Sequence, residues 1–284
     1  MQRRCSGPTG LSYQSTGDED APLVVCLHGF PDVPRTWTPL TEHLCRAGYR
    51  VVSPWLPGYA PSSLRGPFDL PTLARTILSF VDELSPSEPV RMVGHDWGSV
   101  IVQCALVERP DRFRAAIMLA VPHVLTLQAN LERYPRQFLR SAYMGLFQLP
   151  GVSDRIVEIG NFRFIERLWQ KWSPGFDPGK DYFDELKLCL RSSMPAPLGY
   201  YRALRSTQTI GRVRRLLGDR PIVVPTMYLH GERDGCIGPG LADGQEAHFS
   251  ALFESLRLAD AGHFLHLERP HEVNAAIARW FDGF

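Results

Sequence analysis

The sequence predicts an α/β protein: a mostly parallel sheet with helices on both faces and a helical insertion over the carboxyl edge of its strands. Three observations predict this. Short apolar runs alternate with stretches of helical periodicity, and most of the runs end at Gly or Pro. From His123 to about Arg215 that alternation stops, and the text becomes helical and aromatic, with Pro or Gly breaks at 135, 150–151, 174–175, 195 and 197. After that the alternation resumes. The expected organisation is a core formed by residues 1–122 and 214–284, and a cap formed by residues 123–213.

The elements follow in order. Residues 23–27 (LVVCL) form a short apolar run feeding His28-Gly29, which reads as a buried strand and its turn. Residues 36–46 have helical periodicity and are stopped by Gly48. Val51-Val52 begins a second strand, ended by Pro54 and Pro57-Gly58. Residues 70–84 are amphipathic, residues 90–93 are a third strand running into Gly94, and residues 100–107 are apolar almost all round, as a helix against a sheet is. Residues 115–121 read as a fourth strand closed by Pro122. Beyond the cap, the text predicts a strand at 225–230, a helix around 241–249, a short strand at 255–258 and a final helix from Glu272.

Composition excludes several classes. With 31 Lys+Arg against 30 Asp+Glu the net charge is +1, so a general polyanion or nucleic-acid binder is not expected. The hydrophobic fraction of 44% and charged fraction of 21% are those of a globular chain, not a disordered one. Charge is nevertheless uneven: residues 123–215 carry 15 basic and 8 acidic side chains, read here as a solvated cap face. No apolar run of about 18 residues occurs, so no membrane span is expected. Residues 5–20 are polar and Gly-rich, unlike a signal-peptide core. The six cysteines are scattered without a CxxC pair, which favours reduced thiols and a cytoplasmic protein, monomeric or homodimeric.

The chemistry concentrates at turns that follow strands. Val93-Gly94-His95-Asp96-Trp97-Gly98-Ser99 stands between a strand and a helix and matches the G-x-nucleophile-x-G elbow, with Asp96 where Ser usually stands. The bland alternative is an ordinary turn capped by Asp96; a phosphate loop is excluded by the missing Lys and GxGxxG spacing. His28-Gly29-Phe30-Pro31 stands where an oxyanion loop is expected, so the backbone N–H groups of Phe30 and Trp97 are the candidate oxyanion donors. Asp234, in HGERD after the strand at 225–230, and His263, in AGHF after the last strand, complete the order nucleophile, acid, base. Glu232 and Asp260 are weaker rivals for the acid. His266, three residues past His263, imitates a metal pair, but no neighbouring sequence completes a coordination shell, and neither metal nor cofactor is expected.

An aspartate nucleophile restricts the substrate. Attack on an acyl group gives an anhydride, whereas attack on an sp³ carbon gives an alkyl-enzyme ester that activated water can cleave. The leaving group is then an epoxide oxygen or a halide. An epoxide oxygen needs proton donors, and the cap phenols Tyr143 and Tyr201 stand in suitable contexts: Tyr143 leads into Phe147-Gln148-Leu149-Pro150-Gly151, and Tyr201 lies in Gly-Tyr-Tyr-Arg.

On HGFP, GHDWGS, these two tyrosine contexts, Asp234 and GHFLHLERP, the chain resembles the α/β-hydrolase-fold epoxide hydrolases of the soluble type over nearly its whole length. The resemblance implies Asp96 as nucleophile, His263 as base, Asp234 as acid, and Tyr143 and Tyr201 as the pair that binds and protonates the epoxide oxygen. Tyr200, beside Tyr201, competes for the second place. Phe30, Trp97 and Phe264 are expected at the substrate, which would be a small apolar epoxide, with water. Dehalogenases with the same nucleophile are the alternative, but one group carries Asn where Phe30 stands and another Arg where Trp97 stands. Another dehalogenase group uses a cap Trp, for which Trp169 or Trp172 would serve. A ligand-binding protein without turnover is the third possibility.

Overall fold

The run Leu23–Leu27 is a strand buried along its whole length, as a central parallel strand must be when helices cover both faces. Its side chains divide with the period of two that a strand imposes: Val25 and Leu27 enter one core, Val24 and Cys26 the other. The computed structural model describes residues 2–5, as backbone only, and 7–284.

Eight strands form one sheet: β1 (Gln2–Cys5), β2 (Ser12–Thr16), β3 (Leu23–Leu27), β4 (Arg50–Pro54), β5 (Val90–His95), β6 (Phe113–Leu119), β7 (Thr226–Gly231) and β8 (Phe253–Leu258). The spatial order is β1-β2-β4-β3-β5-β6-β7-β8. Strands β3 to β8 are parallel, and the hairpin β1-β2 adds to β4 in antiparallel sense.

Helices α1 (Thr38–Arg46), α2 (Leu70–Leu84) and α3 (Trp97–Glu108) cover the first half of the sheet. The insertion follows as α4 (Val124–Asn130), α5 (Arg136–Arg140), α6 (Ala142–Phe147), α7 (Val152–Trp172), α8 (Lys180–Ser193) and α9 (Gly199–Ala203). Then come α10 (Thr207–Gly218), α11 (Leu265–Glu268) and α12 (Pro270–Asp282). α2 and α3 pack together on one face, and α1 and α12 on the other. The expected cap end at residue 213 falls inside α10, which packs on α2 and α3. Among the described residues no helix is long and apolar enough to cross a membrane.

Three elements differ from expectation. Strands β1 and β2 lie in the polar N-terminal stretch, where β1 is the edge and β2, paired on both sides, mixes buried residues with half-buried ones such as Gln14, so that no continuous apolar run marks them. The helix expected around residues 241–249 is two 3₁₀ turns, Pro239–Ala242 and Gln245–His248, separated by Gly244 at φ 87°. The last helix starts at Pro270, two residues before Glu272, because Pro fits the first helical turn.

Candidate active site

The elbow forms where β5 runs into α3. Asp96 takes φ 52° and ψ −117°, a conformation that costs a non-glycine residue about 1–3 kcal/mol and that its surroundings must hold. Its neighbours leave no room for side chains: a Cβ on Gly94 would lie 2.4 Å from the Gly98 carbonyl oxygen, and one on Gly98 would lie 2.1 Å from that of Leu27. Gly98→Ala should therefore cost about 3 kcal/mol or more, since relief requires moving β3. Urea unfolding measures this, and a loss under about 1 kcal/mol would mean that the elbow relaxes freely.

The nucleophile loop meets the turn after β3. The Phe30 N–H donates to Asp96 Oδ1 at 2.8 Å, and a Cβ on Gly29 would lie 2.4 Å from that same oxygen. Trp97 opens α3, so its N–H has no intrahelical partner. Of the two expected oxyanion donors, the Phe30 N–H is thus at the Asp96 carboxylate, and the Trp97 N–H is not tied up by the helix. The Phe30 ring packs on Phe147 and Tyr201, at 5.4 and 5.3 Å between centroids, and does not line the cavity described below.

His263 stands between two carboxylates. Its Nδ1 is 2.8 Å from Asp234 Oδ2, and its Nε2 is 3.5 Å from Asp96 Oδ2. Asp234 is fully buried, and its Oδ1 accepts the N–H groups of Cys236 and Ile237 at 2.6 and 2.8 Å. Burial opposes a charge on His263, but Asp234 and then Asp96 outweigh it and raise the imidazole from 6.5 to about 10. Burial likewise opposes the Asp234 charge, but His263 and the Ile237 N–H more than offset it and hold its carboxyl below the usual value.

A cavity of about 360 Å³ opens over Asp96. Trp97, Tyr143 and Tyr201 line it with apolar side chains such as Leu127, Met144 and Ile237, and Asp96 is the only charged side chain in its lining among the described residues. The two phenol rings lie 5.7 Å apart at 79°. The Tyr143 hydroxyl is 3.6 Å from Cys236 Sγ, while that of Tyr201 is buried with no hydrogen-bond partner among the described residues. Burial above all pushes both phenols well above their ordinary value, so each keeps its proton. The neighbouring Tyr200 is committed elsewhere: its hydroxyl donates to the Pro57 carbonyl at 2.7 Å, and its ring stacks on Phe68.

Two expected substrate contacts are corrected, Phe30 as described above and Phe264. Phe264 is fully buried and stacked on Trp169 at 3.4 Å between centroids, beside His263 and outside the cavity lining. Its N–H donates to Ser173 Oγ at 3.0 Å, and its ring lies on the cap side, against Trp169.

Several supporting residues escaped the sequence reading. The Trp172 carbonyl at the end of α7 accepts the N–H groups of both Gly235 and His263 at 3.0 Å, so one cap atom ties the acid loop to the base loop. Glu268 accepts from Ser173 Oγ and from Gly262 N–H, at 2.6 and 2.8 Å. From α5, Gln137 donates to the Cys236 carbonyl at 2.7 Å, and Arg140 donates to that of Asp234 at 3.0 Å. Their only trace in the sequence is the glycines they crowd: a Cβ on Gly235 would lie 1.9 Å from the Lys171 carbonyl oxygen, and one on Gly262 would lie 2.6 Å from Ser173 Cα.

Comparison with known proteins agrees with this architecture. The chain is 28% identical over 311 residues to epoxide hydrolase A of Mycobacterium tuberculosis, covering 96% of this chain and 94% of that one. It is 27% identical over 279 residues to the AB hydrolase superfamily protein YfhM of Bacillus subtilis, covering 95% and 93%. The crystal structure of epoxide hydrolase A from Mycobacterium thermoresistibile superposes with a TM-score of 0.81 at 25% identity, covering 99% of this chain and 98% of that chain. Residues 22–270 match the family model described as the alpha/beta hydrolase fold, and the chain belongs to that family.

Proposed function

We propose that this protein hydrolyses a neutral, apolar epoxide to a vicinal diol through an ester on Asp96. The observation that carries the reading is that one apolar cavity brings together a carboxylate and two protonated phenols from the cap. A halide leaving group would not need such acids, and an ester substrate would not need a carboxylate nucleophile.

The steps follow from the geometry. An Asp96 oxygen attacks a ring carbon and the carbon–oxygen bond of the epoxide breaks. The oxygen that leaves takes a proton from Tyr143 or Tyr201, while the other phenol hydrogen-bonds it. Esterification removes the Asp96 charge, one of the two that raise His263, so the imidazolium gives up its proton, which returns to the phenolate, and the neutral imidazole can then act as a base. It then takes a proton from water, whose oxygen adds to the ester carbonyl carbon of Asp96. The Phe30 and Trp97 N–H groups stabilise the resulting oxyanion. Collapse breaks the bond from that carbon to the alkyl oxygen, which takes the proton of the new Asp96 carboxyl, so that the diol leaves and the carboxylate and imidazolium are restored.

The neutral lining also bears on the dehalogenase alternative. With no cationic side chain in the cavity wall among the described residues, a haloacid carboxylate would face Asp96 unpaired, at a cost that neutral haloalkanes avoid. Cys26, Cys45, Cys104 and Cys236 are free thiols, which supports placing the protein in the cytoplasm.

A single turnover with excess enzyme in ¹⁸O-water tests the covalent route. The first diol should be unlabelled at the new hydroxyl, because that oxygen comes from Asp96, and the label should appear in the Asp96 carboxylate. Label in the first diol would mean direct attack by water.

A further inference from the structure

Beside the catalytic histidine lies a second cluster that the proposed reaction does not use. Asp32, from the turn after β3, His95, from the end of β5, and His266, in α11, each point one polar atom into a shared buried space, and these atoms all lie within 4.8 Å of one another. Each of the three side chains also has a buried polar atom with no hydrogen-bond partner among the described residues: Asp32 Oδ2, His95 Nδ1 and His266 Nδ1. All three residues are buried.

The other atoms of these side chains are held in place. Asp32 Oδ1 accepts the Val33 N–H at 2.8 Å and the Tyr182 hydroxyl. His95 Nε2 lies 2.9 Å from the His263 carbonyl oxygen, which can only accept, so Nε2 carries the proton and Nδ1 presents a lone pair. His266 Nε2 is 2.5 Å from Thr36 Oγ, and its ring stacks on Trp37. With Nε2 donating to Thr36, His266 also presents its Nδ1 lone pair. One carboxylate oxygen and two imidazole nitrogens of the same buried cluster then offer lone pairs out of reach of solvent.

Facing acceptors are mutually unfavourable unless something between them is positive or donates protons. A water donates two hydrogen bonds and leaves the third acceptor unmet. A divalent cation meets all three. Two imidazoles and one carboxylate are a donor set for a borderline transition ion, and a histidine whose second nitrogen donates to a backbone carbonyl is the usual supporting arrangement. Bonds of about 2.0–2.1 Å require the ligand atoms to close to about 3.4 Å, a movement of about 1.4 Å for the widest pair, which small side-chain rotations supply.

We propose that Asp32, His95 and His266 form a binding site for a zinc-like divalent cation, separate from the Asp96 cavity and inhibitory when filled. The His95 ring lies 4.8 Å from that of His263 and 4.6 Å from that of His266. An ion held there sits directly behind the base, and its arrival should be visible in turnover. The binding part of the proposal is independent of the substrate; the inhibition rests on the proposed reaction.

The test uses the full chain and zinc chloride alone. Equilibrium dialysis should find one Zn²⁺ per chain, with Mg²⁺ failing to compete at a hundredfold excess, and Co²⁺ should give visible d–d absorption bands at the same stoichiometry. Saturating Zn²⁺ should lower epoxide turnover at least tenfold, reversibly with a chelator. His266→Gln should weaken binding at least tenfold while leaving metal-free turnover within threefold, and Asp32→Asn should weaken binding similarly. His263→Gln should still bind one Zn²⁺, which separates this site from capture by the catalytic pair. Should His266→Gln fail to fold, the Co²⁺ spectrum of the unaltered chain and Asp32→Asn carry the test. No stoichiometric binding, or binding that survives both substitutions or is lost in His263→Gln, overturns the proposal. Zn²⁺ binding without inhibition overturns its inhibitory part.

Discussion

A His263→Gln enzyme should consume one equivalent of epoxide per chain and then stop. Gln cannot accept the proton from water, but Asp96 and both phenols remain, so the ester forms and persists. Intact-protein mass spectrometry should show an increase equal to the substrate mass, placed on the peptide containing Asp96. Steady-state diol formation should fall by about 10⁴-fold or more, as expected when the base of a two-step mechanism is removed. Recovery of near-normal turnover would place the base elsewhere. The same variant carries a stability signature. His263 is raised from 6.5 to about 10 in the folded chain, so its interactions with Asp234 and Asp96 stabilise the fold fully below about pH 6.5. That contribution is lost as pH rises through 10, so the stability gap between the parent and His263→Gln should narrow over that interval.

Removing both cap phenols should have an effect nearly as large, on the other half-reaction. In Tyr143→Phe/Tyr201→Phe the rings stay packed against Phe147 and each other, and only the hydroxyls are lost. The oxygen of the opening epoxide then has no proton donor, and ester formation should slow by about 10³-fold or more, with each single variant losing about 10-fold to 10²-fold. Stopped-flow tryptophan fluorescence, with Trp97 in the cavity wall, reports this step. The Tyr200→Phe control should leave the rate within about threefold, because that hydroxyl is spent on the Pro57 carbonyl. If the double variant forms the ester at the parent rate, the phenols are packing residues and the proposed function loses its main support. A 1-bromoalkane would then become the substrate to test.

The positions of these groups were legible to different degrees. The elbow could be read from Gly94, Asp96 and Gly98 because backbone crowding there admits only glycine, and such a constraint is local in sequence. The central strands could be read because burial on both faces leaves a continuous apolar run. The hairpin β1-β2 could not, since polar residues such as Ser12, Gln14 and Ser15 interrupt any such run. Phe264 misled for a related reason: its place next to His263 in the chain says nothing about direction, and Trp169, distant in sequence, decided where the ring points.

The sequence by itself determined the layered fold, the helical interruption, and the candidates for nucleophile, acid and base, because each rests on a short segment whose backbone needs are written in adjacent residues. Only the tertiary structure decided which tyrosine faces the cavity, that the Trp172 carbonyl joins the acid and base loops, and that Asp32 and His95 meet His266. Those are contacts between residues far apart in the chain. Side-chain direction there is set by packing and by the pairing of buried polar atoms, forces that leave no pattern until the chain has folded.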